Sequence, residues 1–161
     1  MTGLTPKKLH LAAGILEFFT WTLLIVGMVL KYSGTTESVI SIAGGIHGFG
    51  FLCFVILTIL VWVNNKWSFG LGLVGLIVSV IPWAALAFTL WADKKGKLEG
   101  GWRFSDPAEQ PTNLPDKILA QAVRHPIRSL IIALIIVALV FTLLVTLGQP
   151  YDPDAVADRI G

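Results

Sequence analysis

Long apolar stretches separated by short polar ones dominate the chain, at roughly Leu9 to Leu30, Val39 to Val63, Trp67 to Ala92 and Leu130 to Leu147. A helix needs about 20 residues to cross a hydrocarbon core of about 30 Å, and each stretch is close to that length or above it. Strands of a membrane barrel would alternate over segments of about 10 residues, whereas Leu130 to Val140 reads LIIALIIVALV without alternation. The pattern therefore predicts an all-α, polytopic membrane protein with four transmembrane helices. The first stretch follows Lys7 and Lys8, as a secretory signal would. It is longer than the roughly 7 to 15 apolar residues of such a signal and carries Glu17 inside it, so it is expected to stay as a span.

One sizeable polar segment interrupts the pattern, Asp93 to Ser129, with seven basic and five acidic residues. Its first part, DKKGKLEGGWRFSDPAEQPTNLP, is too rich in Gly and Pro for a long helix. From Asp116 to His125 the apolar residues Ile118, Leu119, Ala122 and Val123 recur at helical spacing behind Pro115. Lys117, Gln121 and Arg124 can then face water, which predicts a short interfacial helix leading into the fourth span. The chain thus divides into a three-helix unit (1–93), a polar loop with its interfacial helix (94–129), and a fourth span with an acidic tail (130–161).

Composition agrees with this reading. Of 161 residues, 55% are hydrophobic and 14% charged, which is too apolar for a water-soluble globule. A net charge of +2 with scattered basic residues leaves no footprint for nucleic acid. Cys53 is the only cysteine, so an intramolecular disulfide and a CxxC motif are both excluded. With four spans, the loops after spans one and three hold eight Lys and Arg against four on the other side. The positive-inside rule then puts the third loop in the cytoplasm and both termini outside. Tyr32, Trp62, Trp67, Trp91 and Tyr151 fall at span ends, where aromatic rings sit among headgroups, while Trp21 and Trp83 lie deep.

Two ionisable residues lie deep inside the spans. A carboxylate there costs several kcal/mol unless it is protonated, paired or facing a wet cavity, so Glu17 requires a partner. Ala13, Glu17, Thr20, Leu24, Gly27 and Lys31 follow at intervals of three and four and make one small and polar stripe on the first helix. His47, in AGGIHGFGF of the second span, lies at nearly the same depth in an antiparallel neighbour. At about 1.5 Å per residue the two differ by no more than roughly 6 Å in height. Gly44 and Gly48 form a GxxxG pair that admits a close neighbour beside His47. A Glu17–His47 hydrogen bond is expected, as a structural pin rather than a relay, because no chain of further ionisable residues continues across the bilayer.

Gly14, Gly27, Gly72 and Gly75 are expected to pack helices closely, and Pro82 in SVIPWAAL to kink the third span. A metal site would need three or four converging ligands, and His10, His125 and Cys53 do not share a level with His47. No cofactor, metal or catalytic constellation is therefore expected. Lys94, Lys95, Lys97, Arg124 and Arg128 are expected to touch anionic lipids or partner subunits.

The segments GILEFFTW, GMVLKYSG, GGIHGFGF and SVIPWA resemble the YdzA-like family of small bacterial integral membrane proteins, a domain of unknown function. The resemblance covers about Leu9 to Asp93 and falls on Glu17, Lys31, Tyr32, Gly44, His47, Gly48 and Pro82. It implies a bacterial cytoplasmic membrane and a three-helix unit, but no reaction; the chain after Asp93 departs from the family pattern. Together these readings predict a non-catalytic accessory subunit of a larger membrane complex, a respiratory electron-transfer assembly being the first guess. The alternative is a small proton-coupled transporter that uses Glu17.

Overall fold

The structure is a computed structural model that describes residues 4–147. The acidic tail, Tyr151 and Arg159 lie outside the described residues. All regular structure within them is helical: α1 (Pro6–Tyr32), α2 (Ser38–Asn64), α3 (Phe69–Ile77) with a 3-10 turn (Val78–Val80), α4 (Ala84–Lys94), α5 (Leu114–Arg124) and α6 (Pro126–Leu147). Helices α1, α2 and α6 are long and apolar enough to cross a membrane.

α1 begins where Thr5 caps it, its hydroxyl accepting from the Lys8 amide, and Pro6 takes the first turn, where a missing N–H costs nothing. One face is buried along its length through His10, Ala13, Gly14, Glu17, Thr20 and Gly27. The spacing is that of a single helical stripe. Apolar positions on the other faces of α1, such as Phe19, Val26 and Val29, stay exposed. α2 runs antiparallel along the stripe, and the approach is close because side chains are missing at the crossing points. A Cβ on Gly27 would lie 3.1 Å from the Ile40 backbone, and one on Gly50 would lie 3.1 Å from Thr20 Cγ2.

The third apolar run departs from expectation. In place of one kinked span from Trp67 to Ala92 there are two short helices that fold back. Pro82 disfavours a helical residue before it, and Ile81 is extended at φ −108°, ψ 122°, which ends the 3-10 turn. Trp83 then takes φ +62°, a left-handed conformation that costs a non-glycine residue roughly 1–2 kcal/mol. It holds this position through its indole, which donates to Thr22 Oγ1 at 3.0 Å. Chain direction is therefore reversed, not merely bent.

Neighbours along the hairpin establish the reversal. Descending α3, Gly72 lies under the Trp62 indole and Gly75 against Thr58, and Ser79 O meets Trp21 Nε1 at 3.4 Å. Returning along α4, Ala85 packs with Ala13 and Phe54, Thr89 reaches His10, and Asp93 forms an ion pair with Lys7 at 2.8 Å. Both ends of the hairpin thus sit beside the start of α1 and the end of α2, and its tip stops at the level of Trp21 and Thr22.

The polar segment is fastened to that same end. Asn64 donates to Gly101 O and accepts from the Arg103 amide, and Asn65 donates to Lys97 O and Glu99 O. Trp67 Nε1 donates to Lys97 O at 2.8 Å, and Trp102 Nε1 donates to Leu4 O at 2.8 Å. Arg103 donates to Val63 O at the α2 C-terminus, a carbonyl that also accepts from the Lys66 amide, and pairs with Asp116 on α5. α5 is the short amphipathic helix expected before the last span. Leu119 and Ala120 bury against Phe104, while Leu114 and Ile118 remain exposed. From there α6 runs along α2 to the opposite end, where Phe141 seats on Gly45 and Gly48.

Candidate functional site

Two polar layers cross the helical core, and both hang from the buried stripe of α1. Nearer the Lys7 end, His10 is fully buried among Phe54, Trp67 and Phe88. Thr89 donates to Ala85 O at 2.8 Å and can accept from His10 Nδ1 at 3.0 Å, while Thr58 lies 3.2 Å from Nε2. An imidazole with its proton on Nδ1 satisfies every member: Nδ1–H donates to Thr89, and the Thr58 hydroxyl donates to Nε2. The layer is closed, with His10, Thr58 and Thr89 all buried.

Two helical turns further along α1, about 10 Å at 1.5 Å per residue, lies the layer expected from the sequence. The structure brings Glu17 and His47 together, with Oε2 and Nδ1 3.8 Å apart. That separation is beyond a hydrogen bond. Thr20 supplies the link instead: its hydroxyl is 3.1 Å from Glu17 Oε2, 3.1 Å from Glu17 O and 3.2 Å from His47 Nδ1. With one proton on that hydroxyl, a continuous chain runs His47 Nδ1–H to Thr20 to Glu17 Oε2. The reversed chain, with the proton on Glu17, fits the same distances. Such an arrangement can hold a proton at either end and pass it through Thr20.

Glu17 is completely buried, and its second oxygen, Oε1, has no hydrogen-bond partner among the described residues. Groups of this kind are uncommon in native interiors. Trp21 covers the other side of His47, ring centroids 4.3 Å apart, and its indole nitrogen faces Ser79 O. The hairpin tip therefore reaches the edge of the Glu17 layer and goes no further.

The other expected residues fall as follows. Gly14 faces Thr89 Oγ1, Gly27 faces the Ile40 backbone, Gly48 faces Phe141, and Gly75 faces Thr58 and Phe88; a Cβ on Gly72 would overlap the Trp62 ring. Gly44 meets nothing within 4 Å, so its GxxxG partner Gly48 makes the helix contact alone. Pro82 occupies the reversal at the hairpin tip. Lys94, Lys95, Lys97 and Arg128 are exposed. Arg124 is turned inward, donating to the carbonyls of Phe104 at 3.2 Å and Glu109 at 2.6 Å, and so orders the loop rather than reaching for a headgroup. Among the described residues no three His, Cys, Asp or Glu side chains are placed to hold a metal ion.

Sequence reasoning did not single out Thr20 as the bridge, nor the cluster of His10, Thr58 and Thr89. The available signal was a hydroxyl at helical spacing from Glu17, that of Thr20, and a second hydroxyl, that of Thr58, set within the apolar run of the next helix.

Fold and polar core together define a helical membrane protein. Residues 8–94 match the model of the domain of unknown function DUF3817, and the chain belongs to that family. The matched stretch takes in α1, α2 and the whole α3–α4 hairpin. Over 99 residues, 60% of this chain, it is 41% identical to SCO5905 of Streptomyces coelicolor, a protein whose name places it in a membrane. Those residues make up 12% of that relative's length, so the chain corresponds to a small part of it. No solved structure matches the chain.

Proposed function

We propose that the protein is a non-catalytic membrane module that works as one part of a larger membrane assembly. The observation that carries this reading is the relative in which the same unit occupies 12% of a far longer chain; there the module is joined covalently to other parts. Packing agrees with it. Among the described residues of α6 only Val137 is buried and Phe141 seats on Gly45 and Gly48, while Leu134, Leu139, Leu143 and other large side chains stay uncovered, a surface open to helices of a partner. A respiratory electron-transfer assembly is one host of this class.

The test is purification of a tagged copy from native membranes in mild detergent, followed by native gels and mass spectrometry. Stoichiometric co-purification with other membrane subunits is the expected outcome. A monomer that stays alone would overturn the reading.

A second reading, a small proton-coupled transporter, is favoured by one observation: a buried carboxyl with a free oxygen, joined through a hydroxyl to an imidazole. Glu17→Gln separates the two. Vesicles holding the wild type should dissipate an imposed pH gradient faster than vesicles holding the variant if Glu17 moves protons, and the two should match if it does not.

A further inference from the structure

The hairpin moves most of the protein's positive charge to one side. Lys7 and Lys8 start α1, Lys66 follows α2, and the seven basic residues from Lys94 to Arg128 follow the hairpin or lie at the start of α6. Because Asp93 pairs with Lys7, and Asn65 holds the backbone at Lys97 and Glu99, all of these lie at one end of the bundle. That end carries ten of the eleven Lys and Arg among the described residues, against five acids, an excess of five. At the other end stand Lys31 and Glu37, 3.8 Å apart, with no net charge.

Length excludes a crossing by the third run. α4 has 11 residues, about 16 Å at 1.5 Å per residue, against a hydrocarbon core of about 30 Å. α1 from Lys7 to Lys31 rises about 36 Å on the same scale, enough to reach both headgroup regions. Trp62, Trp67, Trp91 and Trp102 gather at the basic end, at the level amphipathic rings prefer.

We infer that the end bearing Lys7, Lys66 and the 94–128 segment is the cytoplasmic face, that the α3–α4 hairpin dips into the bilayer from that face and returns to it, and that its cations hold anionic phospholipid headgroups of that leaflet. The first part follows from the positive-inside rule applied to the sides the structure defines. Charge complementarity identifies the occupant. Lys8, Lys94, Lys95 and Lys97 are exposed and form no ion pair among the described residues. They stand at headgroup level, where anionic lipids attract cations. On this inference the start of α1 is cytoplasmic, reversing the side expected from a four-span count.

Cysteine labelling tests the topology in the full chain. In a Cys53→Ser background, Thr35→Cys, Lys66→Cys and Lys95→Cys are treated separately with a membrane-impermeant maleimide on intact spheroplasts and again after lysis. The expected result is labelling of Thr35→Cys in intact spheroplasts, and of the other two only after lysis. Labelling of Lys66→Cys and Lys95→Cys from opposite sides would restore the four-span arrangement, and labelling of both in intact spheroplasts would invert the molecule; either overturns the inference.

The lipid contact is read from Tm in phosphatidylcholine bilayers with and without phosphatidylglycerol. Phosphatidylglycerol should raise the Tm of the wild type, and the triple variant Lys94→Gln, Lys95→Gln, Lys97→Gln should lose most of that rise while keeping its Tm in phosphatidylcholine. No rise in the wild type, or an equal rise in the variant, overturns the contact. So does a basic face whose cysteines stay unreactive after lysis, because protein would then cover it.

Discussion

The His10 and Glu17 layers are built from the same parts, an ionisable side chain on the α1 stripe, threonine hydroxyls and an imidazole, yet they differ in completeness. Around His10 each donor has an acceptor, and three aromatic rings seal the cluster. Around Glu17 the chain of hydrogen bonds is continuous but one carboxyl oxygen is left over. A saturated polar cluster contributes to stability and specifies one packing. An unsaturated one costs stability where it stands and leaves capacity for a further donor. The difference separates a joint from a site.

Replacement of the joint should have the largest effect. His10→Ala leaves two threonine hydroxyls facing an aromatic-lined void and should lower unfolding stability in detergent by about 3 kcal/mol or more, read as a fall in Tm. The counterpart at the other layer should behave differently. Glu17→Met removes the orphan oxygen while Thr20 keeps the Glu17-position carbonyl and His47, so stability should stay within about 1 kcal/mol of wild type. A loss as large as that of His10→Ala would erase the contrast.

Two smaller effects sharpen the picture. Thr20→Val keeps the shape and removes the bridge, and should cost about 1–2 kcal/mol. Finally, a double-mutant cycle between Glu17 and His47 should return a coupling below about 0.5 kcal/mol once Thr20 is Val, against a larger one in its presence; equal couplings would mean that the 3.8 Å approach acts directly.

Much of this was legible in the chain, for identifiable reasons. Run length located α1, α2 and α6, because an apolar helix that crosses a bilayer needs little beyond length. Depth arithmetic placed Glu17 beside His47. It could not place Thr20, since a threonine in an apolar helix bonds its own backbone as readily as a neighbour. The larger failure came from Pro82: a proline within an apolar run ordinarily kinks a helix, and nothing in the sequence announces that Trp83 turns left-handed. One error then concealed another. With α4 read as the far half of a span, Thr89 belonged at the opposite membrane surface from His10, and the sealed cluster could not be foreseen.

The depth at which the hairpin stops also shapes the whole molecule. Around Lys7 and Asp93 five helices share the cross-section, α1, α2, α3, α4 and α6, whereas beyond Trp83, among the described residues, only α1, α2 and α6 continue. The body tapers along its long axis. With the hairpin in one leaflet, as inferred above, a wedge of this outline displaces more lipid from that leaflet than from the other.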